Sequence, residues 1–574
     1  MQNKKVKNIF STIFIIGFIS FLFLAYVFEN SEIIVKTKNY ESNDLLKENK
    51  YGLFLSSFHA NISGDFPKLS SIYPDAISQN KDDFLGKELI LKSITSDKKD
   101  TFSFALKEYQ KNKNNIIPVM YLANDYFLKG NYKKAYDIYN GMGEKSETFI
   151  IKLLRSWILI AQNNYEEALD LLETEIENPA FRKYVLMHLG AQAEIAKDFD
   201  YADEIYTELL NNNDLNIFDI ENITAFYLKR NNKNKAMEIL NDYYNKKPDS
   251  ISILSLLSKI KKDLYKPVSL DTAKKGMAKA LFDISFLLNS VFSSAQDLHL
   301  MYLSMINDLY PELYMANIVQ AEIYKKYSMT ESVYEYLDLI PENHYLYLIS
   351  RINKIFYDFS VLKKEKKSLE SFNDLIKKYP TYTHLYLKLG NYYQDIKDYD
   401  NALKNYSKVL SLTENKKLQA KTYYLIARVY DDLKDIEKAR VNFDKSYELG
   451  NNEPDFLNYY GYFLVYNNLD FSKGLVLISG AIIKEPSNPY YLDSYGWALF
   501  RNNDVEKALF TLEFAKSLQP KNPIIVNHLA DIYWFLDRKR EAIFEWKKAL
   551  SLQKNFPQEE LNSNEIEYKI NFGL

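Results

Sequence analysis

The chain has 574 residues, 73 basic against 76 acidic, and no cysteine. That balance leaves no broad positive field for a polyanion, and the missing thiols exclude disulfides, thiolate catalysis and Cys-ligated zinc. With only 16 Gly and 15 Pro, strand-and-turn signals are sparse, so the composition points to an all-α protein without nucleic-acid partners.

Taken from the N-terminus, Lys4, Lys5 and Lys7 lie in a basic tail, residues 1–8, and an uncharged apolar run from Ile9 to Phe28 follows. A run of that length crosses a hydrocarbon core of ~30 Å as a helix. A cleaved signal peptide is the competing reading, but its apolar core is usually ~7–15 residues and ends at small residues. This run exits instead through Leu24-Ala25-Tyr26-Val27-Phe28. The expectation is an uncleaved signal anchor over residues 9–28, with the N-terminus cytoplasmic because the lysines precede the span while Glu29 and Glu32 follow it. Residues 29–49 read as a polar spacer.

A weak helical repeat starts near Tyr51, with Ser57, Tyr73 and Ala76 at its key positions, and a poorer one covers residues 83–112. Regularity begins at Ala123, Ser156, Gly190 and Thr224, each followed twelve residues later by Ala135, Ala168, Ala202 or Ala236. Small residues at that spacing suit antiparallel helix pairs, whose axes approach closely where no large side chain intervenes. The period breaks after Pro248. One further helix is predicted over 249–263, and the next unit begins at Gly276-Met277-Ala278. The break reads as a junction between an N-terminal array, 50–265, and a C-terminal array, 276–552, or as a kink in one continuous superhelix.

Units then follow over 285–311, 321–341 and 356–380, and at Gly390 with Ala402, Ala427 with Ala439, and Gly461 with Gly474. The clearest come last: Tyr495, Gly496, Leu499, Ala508, Leu512 and Ala515 recur 34 residues on as Leu529, Ala530, Tyr533, Ala542, Trp546 and Ala549. Pro520 stops a helix, having no N–H to continue it. A single pair cannot bury its apolar face, so neighbours must stack, and the prediction is a superhelical solenoid of about fourteen helix pairs. Residues 553–574 are expected to form a closing helix or a tail.

These residues resemble the tetratricopeptide repeat (TPR), with its large residues on the first helix, small ones where the helices cross, and a Pro at the end of the unit. The stretches 458–464, 493–500 and 528–550 also look like one family of bacterial membrane-associated TPR proteins. The resemblance implies that first helices line a groove, through positions three before, one after and four after the small residue. Applied to the last three units, it assigns Asn458, Tyr462 and Val465, then Asp493, Trp497 and Phe500, then Asn527, Asp531 and Trp534. Aromatics flanked by Asn and Asp can hold an extended peptide. The competing reading is that Trp497 and Trp534 pack against the next unit; Trp546 is assigned to packing. An earlier groove around Asn124, Phe127 and Trp157 is the alternative. Chaperone-tail clamps of TPR proteins carry Lys and Asn where this chain has Leu387, Leu425, Asp455 and Tyr459 around Asn391, so no such clamp is expected.

No nucleophile, phosphate-loop or dinucleotide motif occurs, and the six histidines are dispersed with no pair four apart. Expected, therefore, is a non-enzymatic, membrane-anchored scaffold with protein or peptide partners and no catalytic residue, metal, cofactor or small-molecule substrate. Its suggested role is bacterial envelope assembly or maintenance with the repeats in the periplasm. A TPR receptor on an organelle surface and a regulatory subunit of an envelope enzyme complex are the alternatives.

Overall fold

The computed structural model describes residues 98–574, apart from 213–214, 249, 292–295, 556 and 559–560. These belong to the second of the two units into which the chain divides, 92–574. The basic tail, the 9–28 span, the spacer and the units expected between residues 50 and 97 lie outside the described residues.

Among the described residues the chain is an all-helical solenoid, with one 3₁₀ turn at Gly143–Glu147 and no strand. Twelve antiparallel helix pairs account for all but three helices, the single ones being Lys98–Lys111, Ile251–Lys261 and Ser563–Phe572. None of the described helices is long and apolar enough to cross a membrane.

Helix starts follow from local chemistry. Asn488 and Asn522 accept hydrogen bonds from the backbone N–H groups of Tyr490 and Ile524, and Pro489 and Pro523 occupy the first turn, where no N–H is needed. Helix ends share one device. Asn163, Lys197 and Asn231, 34 residues apart, all have positive φ, as do Lys363 and Lys397, Lys434 and Asn468, and Asn503 and Asp537. A single left-handed residue lets the chain reverse in the shortest loop, and the Asp504 N–H then closes on the Leu499 carbonyl at 2.9 Å. The small residues sit where the sequence puts them. A Cβ on Gly190 would come within 2.5 Å of the Tyr206 ring, one on Gly390 within 2.5 Å of Tyr406, and one on Gly496 within 2.7 Å of Leu512.

The period break has a physical cause. Helix Ile251–Lys261 packs against Lys233–Lys246 on one side and against Tyr347–Ser360 on the other, and Ile251 enters one core with Leu348, Ile352 and Leu385. His384 Nε2 donates to the Pro248 carbonyl at 2.7 Å across the same seam. Helix 251–261 thus meets helix 347–360 directly, while two pairs lie between them in the chain: 273–309 folds back, and 314–338 leads from it to helix 347–360. Helix Ala273–Val291 lies on the first helices Phe149–Ala161 and Arg182–Ala196, and Gln296–Leu309 touches Ile116–Leu128.

One buried carboxylate ties the seam together. Glu221 accepts from the Tyr345 hydroxyl at 2.6 Å and the Tyr265 hydroxyl at 3.0 Å beside a cavity of about 50 Å³ that Tyr310 and His344 also line. Burial pushes its carboxyl up to about 7 from an ordinary 4.5, against the two hydroxyls, which lower it. A raised folded-state value means that the contribution is complete below pH 4.5 and is lost as pH rises through about 7. Glu221→Gln should therefore remove on the order of 2–3 kcal/mol of the fall in stability between acid and alkaline conditions. Urea unfolding of parent and variant at pH 5 and pH 8 measures that slope, and equal slopes would dismiss the assignment.

Candidate peptide-binding groove

In the N-terminal units the inner face of the first helices is already filled. Trp157 is fully buried, its Nε1 donates to His188 Nδ1 at 3.0 Å, and a Cβ on Gly276 would come within 2.1 Å of its ring. Since His188 Nδ1 accepts, Nε2 carries the proton and donates to Asp283 Oδ2 at 3.2 Å. Burial holds this imidazole neutral by lowering its pKa, although Asp283 opposes the shift. Lys279 Nζ sits 2.5 Å from Asp283 Oδ2 and 3.0 Å from Asp219 Oδ1, with all three side chains buried. Burial works against the ammonium, but the two carboxylates outweigh it and raise the pKa. Phe127 and Asn124 are buried as well. The alternative groove around Asn124, Phe127 and Trp157 is thus corrected: the chain's own helices 273–309 cover this inner face, and Gly276 is what lets the backbone approach the tryptophan.

The C-terminal units differ. Helix Thr383–Asp395 presents Asn391 and Gln394, helix Lys416–Asp432 presents Tyr424, Arg428 and Asp431, helix Pro454–Tyr466 presents Asn458 and Tyr462, and helix Pro489–Arg501 presents Trp497 and Phe500. All are partly buried, with one face to solvent. Between the first two helices lies a groove of about 610 Å³, lined by Lys388, Asn391, Gln394, Asp395, Arg428 and Asp432 among others. Trp497 stacks on His528 at 4.3 Å and meets Phe500 at 5.5 Å. Burial opposes protonation of His528, yet Asp493, 2.9 Å from Nδ1, outweighs it and raises the imidazole's pKa. Asn458 Oδ1, Trp497 Nε1, Asn527 Oδ1 and Arg428 Nε have no hydrogen-bond partner among the described residues. Such a group costs ~1–3 kcal/mol unless water or a ligand satisfies it, and others of the kind, Asn124 Oδ1 and Gln192 Oε1 among them, lie on the covered N-terminal face.

Not all the residues assigned from the sequence reach this groove. Asp493, Asn527 and Asp531 are buried, and Val465 is wholly inside. Asp531 accepts from Trp546 Nε1 at 2.8 Å and from Lys569 Nζ at 2.8 Å, and Trp534 lies 5.3 Å from the Trp546 ring. The terminal helix Ser563–Phe572 closes over both, because Gly573 has no Cβ to strike the Trp534 ring, from which it would lie 2.1 Å away. The same positional rule applied to Gly390 and Ala427 finds Asn391, Gln394, Tyr424, Arg428 and Asp431, which the sequence reading did not include. Among the described residues no three His, Asp or Glu side chains gather in a metal-binding arrangement.

Stacked helix pairs with an uncovered inner face define a helical-repeat protein of the binding class. Tetratricopeptide repeat models match residues 381–452 and 525–556, and the model described as anaphase-promoting complex, cyclosome, subunit 3 matches residues 96–175. Over the first two of these stretches the chain carries tetratricopeptide repeats. No curated protein matches it. Similar solved structures include the anaphase-promoting complex hetero-tetramer Cut9-Hcn1, with 14% identity over 93% of this chain and 99% of that one and a TM-score of 0.37. YrrB, a TPR protein with an unusual peptide-binding site, is 19% identical over 32% of this chain and 93% of its own, with a TM-score of 0.27. PilW, a type IV pilus biogenesis factor, is 18% identical over 33% and 85%, with a TM-score of 0.30. At these values none of them bears on partner or activity.

Proposed function

We propose that the protein is a non-enzymatic scaffold whose C-terminal units hold an extended segment of a partner protein in the groove running from Asn391 to Phe500. One observation carries this reading: the inner face of the N-terminal units is covered by the chain's own helices 273–309, whereas the equivalent face here is open and carries partly buried aromatic and polar side chains. Asn458, Tyr462, Trp497 and Phe500 remain in the proposed site; Asp493 and Asn527 support it from beneath. Residues 9–28 serve as a membrane anchor, with the repeats outside a bacterial inner membrane and a role in envelope assembly or maintenance. The lysines before the apolar run support this orientation.

A photo-crosslinking residue at Tyr462 or Trp497 of the full chain, produced in its own membranes, tests the reading. Both positions should capture the same partner, and a crosslinker at Phe510, which is 75% exposed on a second helix, should not. Capture from Phe510 alone would move binding to the outer face.

A further inference from the structure

The polar half of the groove carries a cation, Arg428, that makes no direct ion pair among the described residues. Arg428 is partly buried, its guanidinium lies 5.4 Å from the Tyr459 ring centroid and 5.9 Å from that of Tyr424, and its Nε has no partner. Among the described residues no carboxylate reaches ion-pairing distance of it. The neighbouring acids are otherwise engaged or turned to water: Asp431 accepts from the Tyr459 hydroxyl at 2.9 Å, Asp432 from Gln394 Nε2 at 3.4 Å, and Asp395 is exposed. Arg428 and Asp432 line this groove together with Asn391, Gln394 and Asp395. Further along, the inner face changes character to Tyr462, Trp497 and Phe500.

We propose that the groove selects a peptide segment with an Asp or Glu side chain seated on Arg428 and an aromatic or large apolar side chain seated against Trp497. This rests on the reading that the groove binds an extended peptide, and adds the chemistry of that peptide. Three features support an internal carboxylate. A planar guanidinium braced by two rings presents a fixed fork to a carboxylate. A partly desolvated cation with no carboxylate in contact gains more from an incoming anion than a solvated one does. The inner face continues past Arg428 through two more first helices to Trp497, so a bound chain runs on rather than ending at the arginine.

Selection of a phage-displayed random dodecapeptide library on the detergent-solubilised full chain decides it. Enriched sequences should combine an acidic residue with an aromatic one at a fixed separation. A selected peptide made synthetically should bind about tenfold more weakly when its acid is changed to the amide, as loss of one charge-assisted hydrogen bond predicts. Arg428→Gln should abolish that difference, and Arg428→Lys should restore part of it; unchanged melting temperatures establish that the variants fold. Aromatic enrichment without acidic enrichment would overturn the Arg428 site and leave the peptide groove standing. Enriched peptides that bind Trp497→Ala as well as the parent, or no enrichment at all, would overturn the groove and the Arg428 site together.

Discussion

Replacing Lys279 with methionine is expected to cost about 3–5 kcal/mol of stability, because it strands Asp219 and Asp283 inside the protein with only His188 nearby. The cost comes from the carboxylates left behind more than from the ion pair lost. The triple variant Lys279→Met, Asp219→Asn, Asp283→Asn should therefore recover much of the loss, since neutral amides are far cheaper to bury. Chemical denaturation of the three proteins measures both effects. A loss below about 1 kcal/mol for the single variant would mean that water reaches the cluster and that helix 273–291 is not sealed against the inner face.

Trp546→Ala should be comparably damaging, at about 3–5 kcal/mol. Its ring is completely buried in a core with Leu512, Leu529 and Ile566, and its Nε1 supports Asp531, on which Lys569 of the terminal helix rests. Trp497→Ala forfeits mainly the stacking on His528 and Phe500, about 1 kcal/mol, and should shift the melting temperature little while weakening partner capture. The two tryptophans occupy different positions of the repeat, which is why the same substitution separates them. Equal losses would assign Trp497 to the core and remove the aromatic end of the groove.

Helix pairing was legible because it depends on residue size at fixed spacing: Gly190, Gly390 and Gly496 meet Tyr206, Tyr406 and Leu512 as a close crossing requires. The break after Pro248 and a single helix over 249–263 were legible too, from the loss of that spacing. What the break meant was not. The repeat code describes contacts between neighbouring units, whereas helix 273–291 meets Trp157 and His188 across roughly a hundred residues, through a lysine and two aspartates that look like ordinary surface charges in the sequence. The groove was half legible. Its rule for inner-face positions leads to Trp497 and Tyr462, which are half-buried on first helices, but it cannot tell an open face from one that a later segment covers, so it also chose Asp531 and Trp534, over which Lys569 and Gly573 close.

That fold-back also sets an order of events during synthesis. Met120 Sδ accepts from the hydroxyl of Tyr302, a residue 182 positions later, and the inner face that includes Trp157 is complete only when helices 273–309 arrive. At translation rates of ~5–20 residues per second, the first repeats leave the ribosome on the order of 10–40 s before their covering exists. Through that interval they present an aromatic and aliphatic surface bearing His188 and Asp219, with the partner of that acid, Lys279, not yet made. The N-terminal units are thus the ones most in need of a holding chaperone, and protease resistance in stalled nascent chains should appear there only after residue 309 has emerged.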